Sequence, residues 1–138
     1  MATEQSGGAV IPEKYADILE KVAFANIATI GPDGGPQNNP VWFDWDGEHF
    51  KFSQTRGRQK YKNLQRDPRI AVSIIDPDDP YRYMEIRGRV VAIEEDPGNT
   101  FINKMAKRYI GADEYPYHQP GDERVVMHVE PEHATHMG

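Results

Sequence analysis

Residues 53–76 read SQTRGRQKYKNLQRDPRIAVSIID, and the two ends of this stretch have a different pattern from its middle. The first three residues close an alternating strand, HFKFSQT (49–55), and the last eight, RIAVSIID (69–76), form a nearly all-apolar one. Between them Tyr61 and Leu64 stand three apart, at helical spacing. Asp67-Pro68 ends that pattern, because the residue before a proline avoids the α region. The stretch therefore predicts strand, short helix, strand. The helix also carries Arg56, Arg58, Lys60, Lys62 and Arg66 before any acid appears, in a chain with 16 Lys and Arg against 22 Asp and Glu.

Working outward, 138 residues predict a single domain. A chain of this size can bury roughly two-thirds of its unfolded surface and needs no staples. It has no cysteine, which excludes disulfides, thiolate metal sites and cysteine nucleophiles and fits a reducing, cytoplasmic setting. MATEQSGGAV lacks the basic-then-apolar order of a secretory signal, and no apolar run approaches the ~20 residues of a membrane span. A net charge of -6 argues against a general nucleic-acid binder. A local basic patch on an acidic body suits one small anion.

Residues 1–10 are polar and Gly-rich and predict a disordered lead-in to a domain over 11–138. Pro12 fits a helix start, and Tyr15, Ile18, Leu19 and Val22 recur at helical spacing, so a helix is expected over Pro12 to Phe24. NIATI (26–30) is a strand and PDGG (32–35) a turn. PQNNPVWFDWDGEHFKFSQT (36–55) predicts two strands meeting at Asp46-Gly47. Pro40 in the first of them calls for an edge or a bulge. YRYMEIRGRVVAIEE (81–95) is a long alternating strand in which Gly88 permits a bend or bulge. NTFINKMAKRYIG (99–111) is a helix with a Phe101, Met105, Tyr109 stripe, capped by Asn99 or Thr100 and stopped by Gly111. ERVVMHVEP (123–131) is the last strand, followed by the tail EHATHMG. Six short strands joined by turns, without βαβ alternation, predict a mostly β (α+β) fold: a six-stranded antiparallel barrel with flanking helices.

The basic segment admits two readings. One is a solvated helix face. The other is an anion site, because a helix start offers unpaired N–H groups and a positive dipole end. Gly57 would let the chain turn from strand to helix, Arg58 can fork two donors onto a phosphate, and Lys60 adds a compact charge. On a helix, Arg58, Lys62 and Arg66 project from one side, so two or three of the five cations, not all, can meet one ligand.

The segment resembles the strand–helix–strand of the FMN-binding split barrels related to pyridoxamine 5′-phosphate oxidase. More narrowly, it resembles their actinobacterial branch that uses the deazaflavin coenzyme F420. The most specific piece is R-x-K-x-K-N-L followed by R-D-P-R. IATIGPDGGPQ (27–37), ERVVMHVEP and the element order agree, so the resemblance spans about residues 12–131. It implies a split β-barrel homodimer with cofactor sites at the subunit interface and a small-molecule substrate. It places Arg58 and Lys60 on the cofactor phosphate and Lys62 and Asn63 on the phosphate or an acidic cofactor tail. It places Ser53, Gln54 and Thr55 along the ribityl chain or ring edge, and Gln37, Asn38, Asn39 and Val41 beneath the ring. FMN-dependent members usually show Ser-Arg-Lys-Gly where this chain has Arg58-Gln59-Lys60-Tyr61. That departure favours F420, with FMN the alternative.

The implied activity is hydride transfer from reduced F420 to an activated double bond or imine. The competing functions are an FMN-dependent oxidase or reductase and a non-catalytic carrier of a flavin, pyridoxal phosphate or haem-like ligand. No catalytic residue is identifiable. His133 and His136 stand i, i+3 in a polar segment without a third ligand, which does not make a metal site. Trp42, Phe43 and Trp45 read either as core and dimer face or as a ring-stacking wall. The 111–123 loop, GADEYPYHQPGDE, reads as a lid or a plain connector.

Overall fold

A computed structural model describes residues 7–138. Gly7–Val10 form one helical turn, α1, where the sequence predicts disorder; residues 1–6 of that segment lie outside the described residues. The next helix is 3₁₀ rather than α and spans Glu13–Glu20. It buries Tyr15, Ile18 and Leu19, a spacing that serves a period of 3.0 as well as 3.6 over so short a run.

Seven strands follow, not six: β1 (Ala25–Ile30), β2 (Pro36–Val41), β3 (Asp44–Trp45), β4 (Phe50–Thr55), β5 (Arg69–Ile75), β6 (Tyr83–Glu95) and β7 (Arg124–Met137). All pairings are antiparallel, in the order β2-β1-β5-β6-β7-β4-β3, and the hydrogen-bonded sheet does not close. The expected barrel is thus an open, curled sheet. β2 and β3 lie at opposite edges of it, yet only Trp42 and Phe43 separate them in sequence. Three residue steps reach at most about 11 Å, so the sheet must curl until its edges nearly meet. The peptide chain crosses that seam where hydrogen bonds would close a barrel. The expected single strand 36–45 breaks in two there because it leaves β1 and joins β4.

Phe43 is the inward anchor of the seam. It is fully buried and stacks on Phe50 at 4.9 Å. The Tyr109 hydroxyl accepts from its N–H at 3.1 Å and donates to the Ala23 carbonyl at 2.6 Å. Pro40 sits on edge strand β2, where no ladder donor is needed. β6 and β7 slip register between Arg87 and Gly88, where a Cβ would come within 2.1 Å of the Glu130 carbonyl oxygen. That position requires glycine. The C-terminal residues expected as a tail are strand: β7 continues to Met137, paired with β6 down to Tyr83.

Two α-helices complete the fold, α2 (Gln59–Arg66) and α3 (Thr100–Ile110). The carboxylate of Asp96, not Asn99 or Thr100, caps α3, accepting from the N–H groups of Thr100 and Phe101 at 2.9 and 3.0 Å. Gly111 ends it at φ 70°, with the Gly111 and Ala112 N–H groups returning to Lys107 and Ala106 carbonyls. Its buried face is Ile102, Met105 and Ala106; of the expected stripe only Met105 belongs to it. The curled sheet encloses Ile27, Phe50, Phe52, Val72, Ile74, Met84, Ile86, Met127 and Val129. Among the described residues no helix is long and apolar enough to cross a membrane.

Candidate anion and ring site

β4 delivers the chain to the N-terminus of α2, and β7 lies against β4 with Arg124 opposite Thr55. β2, α3 and the loop after α3 close round this point. Together they line a cavity of about 520 Å³. Its volume falls in the range of small-molecule and cofactor sites.

The cavity has a basic end and an aromatic end. At the first, Arg58 is the N-cap of α2, in extended conformation and with no side-chain cap bond, so the first N–H groups of the helix are without intrahelical partners. Gly57 does not adopt positive φ, and a Cβ there would meet nothing within 4 Å. The turn into the helix is therefore one that other residues could make. Lys60 is half-buried beside Arg58, and desolvation followed by the Arg58 charge pushes its ammonium down to about 8. Among the described residues neither Arg58 nor Lys60 has a carboxylate partner, whereas Arg56 is held by Glu95 at 2.8 Å and Glu123 at 3.6 Å. Arg66 is also occupied, donating to the Ile30 carbonyl. The five cations of the run thus divide: Arg56 and Arg66 serve the fold, Arg58 and Lys60 face the cavity unpaired, and Lys62 is exposed.

Of the residues expected at a cofactor site, Gln37, Asn39, Val41, Ser53, Gln54, Thr55, Arg58 and Lys60 line this cavity. Asn38, Lys62 and Asn63 do not. Asn38 lies on the opposite, exposed face of β2, and Lys62 is exposed on α2. Asn63 is fully buried. Its amide nitrogen donates to Thr29 Oγ1 and Gln37 Oε1, both at 3.0 Å, and its oxygen accepts from Gln59 Nε2 at 2.8 Å. Asn63 therefore acts on the cavity at one remove, fixing Gln37 and Gln59, which both line it.

The aromatic end was only partly legible in the sequence. Trp42 points away from the core, stacks on Tyr109 at 5.2 Å and meets Tyr115 edge-on at 5.9 Å. It is a wall of the cavity, while Phe43 is core. Ile102 and Met105 of α3 provide an apolar floor. Tyr115, Tyr117, Gln119 and Asp122 come from the 111–123 loop, anchored by the Tyr115 N–H on Asn103 Oδ1 at 2.8 Å. Arg124 is a further lining residue that the sequence does not point to. It lies over the Tyr115 ring at 4.6 Å and donates to Ser53 Oγ at 3.2 Å. No local signal marks it, since its place follows from the β4–β7 pairing across some 70 residues. Among the described residues no group of three or more His, Asp or Glu side chains is arranged to hold a metal ion.

The family model for pyridoxamine 5′-phosphate oxidase matches residues 11–138. Among solved structures, an F420 reductase is 43% identical with a TM-score of 0.82, over 91% of this chain and 98% of that one. A conserved hypothetical protein from Mycobacterium tuberculosis is 26% identical with a TM-score of 0.71, over 98% and 89% of the two chains. General stress protein 26 of Bacillus anthracis has the same fold, at 21% identity and a TM-score of 0.67 over 91% and 92%. No curated protein matches the chain.

Proposed function

The chain belongs to the pyridoxamine 5′-phosphate oxidase family, and from that premise we propose that it is an oxidoreductase binding the deazaflavin coenzyme F420. The observation that carries the reading is the cavity with Arg58, Lys60 and Arg124 on its walls, cations without a carboxylate partner among the described residues in a protein of net charge -6. The 43% identical F420 reductase supports the choice of cofactor. FMN is the alternative, the cofactor implied by the resemblance to the FMN-binding split barrels related to pyridoxamine 5′-phosphate oxidase.

The residues present fit such a group. Arg58 and Lys60 supply charge for a phosphate, and the free N–H groups at the start of α2 add to it. Gln37 and Asn39 present amides along β2, while Trp42 and Tyr115 offer flat walls for a conjugated ring. When bound, the reduced cofactor would supply a hydride to an activated double bond or imine of a small organic substrate. The protein's part is to fix the phosphate, orient the ring and exclude water with Ile102, Met105 and Trp42.

The site is further proposed to lie on a homodimer interface. Phe24 and Tyr117 line the cavity yet are 62% and 63% exposed, a rim of aromatic surface that a second copy of the chain would cover.

The test is a parallel fluorescence titration with F420 and with FMN, using quenching of Trp42 and Trp45. Micromolar F420 binding with weak FMN binding supports the proposal. FMN binding alone moves the assignment to the flavin-dependent members, and binding of neither removes it.

A further inference from the structure

Arg124 is placed unlike the other cations of the cavity. Its guanidinium lies over the Tyr115 ring at 4.6 Å, and one end is tied to Ser53 Oγ. Its Nε is buried and makes no hydrogen bond among the described residues. A buried guanidinium donor without an acceptor is unfavourable, and the nearby carboxylates do not relieve it. Glu123 pairs with Arg56, and Asp122 accepts from the Gln119 N–H, closing its own turn. Packing thus holds a permanent positive charge in position without neutralising it.

The position is also apart from the phosphate end. Arg124 pairs in register with Thr55 but leans back along β4 to Ser53. Two residues of strand correspond to ~7 Å, and α2 begins on the far side of Thr55. Arg124 thus enters the cavity from β7 with its fixed end turned toward Ser53, whereas Arg58 and Lys60 enter it from the start of α2.

Resting on the cofactor reading above, we infer that Arg124 recognises a second oxygen acceptor of the same ligand, separate from the phosphate held by Arg58 and Lys60. The site therefore selects ligands with two separated acceptor functions, one a phosphate and the other a carbonyl or ionised oxygen on or near the ring. Ser53 and Tyr115 are positioning residues that hold the guanidinium in place. Arginine is required because a lysine cannot both stack on the tyrosine and present a fork of donors.

The experiment compares wild type, Arg124→Met, Arg124→Lys and Lys60→Ala. Each is titrated with F420 by calorimetry and with inorganic phosphate by phosphorus NMR line broadening, with thermal melts as a check on folding. The expected result for Arg124→Met is F420 affinity lowered 10- to 50-fold and phosphate affinity unchanged within twofold. Arg124→Lys should recover only part of the loss, and Lys60→Ala should weaken both ligands. Unchanged F420 affinity in Arg124→Met overturns the inference, as does parallel loss of F420 and phosphate affinity in a variant that melts like wild type. A wild type that binds phosphate but not F420 overturns the cofactor reading, and the inference with it.

Discussion

Lys60 makes the anion affinity of the cavity depend on pH in a range where the ligand's own phosphate does not titrate. In the ligand-free protein its ammonium is pushed down to about 8, by burial first and by Arg58 second. At pH 7 about nine in ten molecules carry that charge, and at pH 9 about one in ten. A phosphate bound beside it favours the charged form, so binding above pH 8 must take up a proton. The dissociation constant should therefore rise about tenfold between pH 7 and pH 9, with the phosphate fully ionised throughout. Calorimetry in buffers of different ionisation enthalpy should show proton uptake near zero at pH 7 and close to one at pH 9. Lys60→Arg, which does not titrate in this range, should bind with a flat profile. The stability of the ligand-free protein should move the other way. A lysine whose folded pKa lies below its unfolded value releases its proton sooner in the folded state, so stability rises from about pH 8 towards 10.5. An affinity that is flat from pH 7 to 9.5 in the wild type would refute the argument.

Lys60→Ala should cost F420 affinity by about 1.5–3 kcal/mol, the worth of a hydrogen bond to a charged group, read by fluorescence titration. Asn63→Ala should destabilise the fold by about 1–3 kcal/mol in urea unfolding, because the buried Thr29 hydroxyl loses its donor. It should also weaken F420 binding by releasing Gln37 and Gln59. Gly88→Ala should lower the melting temperature sharply or prevent folding, since its Cβ meets backbone at 2.1 Å; a melt within two degrees of wild type would contradict the bulge geometry. Light scattering tests the proposed dimer: a dimeric wild type and a monomeric Phe24→Asp are the expected outcome, and a monomeric wild type overturns it.

The fold class was legible because each strand carries its own signal. Alternation marks β4, an apolar run marks β5, and Asp46-Gly47 marks the turn between β3 and β4, where Gly47 has φ 95°. What was not legible depends on partners. Trp42-Phe43 alternates like any strand, and only the two neighbours β1 and β4 show that the chain changes edge there. The polar run 132–137 looked like a tail because pairing with β6 asks only for its backbone. The cap of α3 is not legible from its first residues because Asp96 reaches it from outside the helix.

The same division explains the candidate site. Arg58 and Lys60 are neighbours in sequence, so their proximity at a strand–helix junction can be read directly. Arg124, Tyr115 and Trp42 come from three separate segments. Only the Trp42-Phe43-Trp45 cluster offers a local hint of a ring wall, and nothing local separates Trp42, which lines the cavity, from Phe43, which is core. Charge pairing then distinguishes which of the basic residues are available. Arg56 sits in the same run as Arg58, two residues earlier, yet β7 and the end of β6 bring Glu123 and Glu95 against it. A count of cations along the segment therefore overstates the anion site at Arg56 and Arg66 and understates it at Arg124. The positive field of the cavity belongs to the fold, assembled from β4, α2 and β7, rather than to the basic run alone. This is why a protein of net charge -6 can present an anion site without becoming a general binder of polyanions.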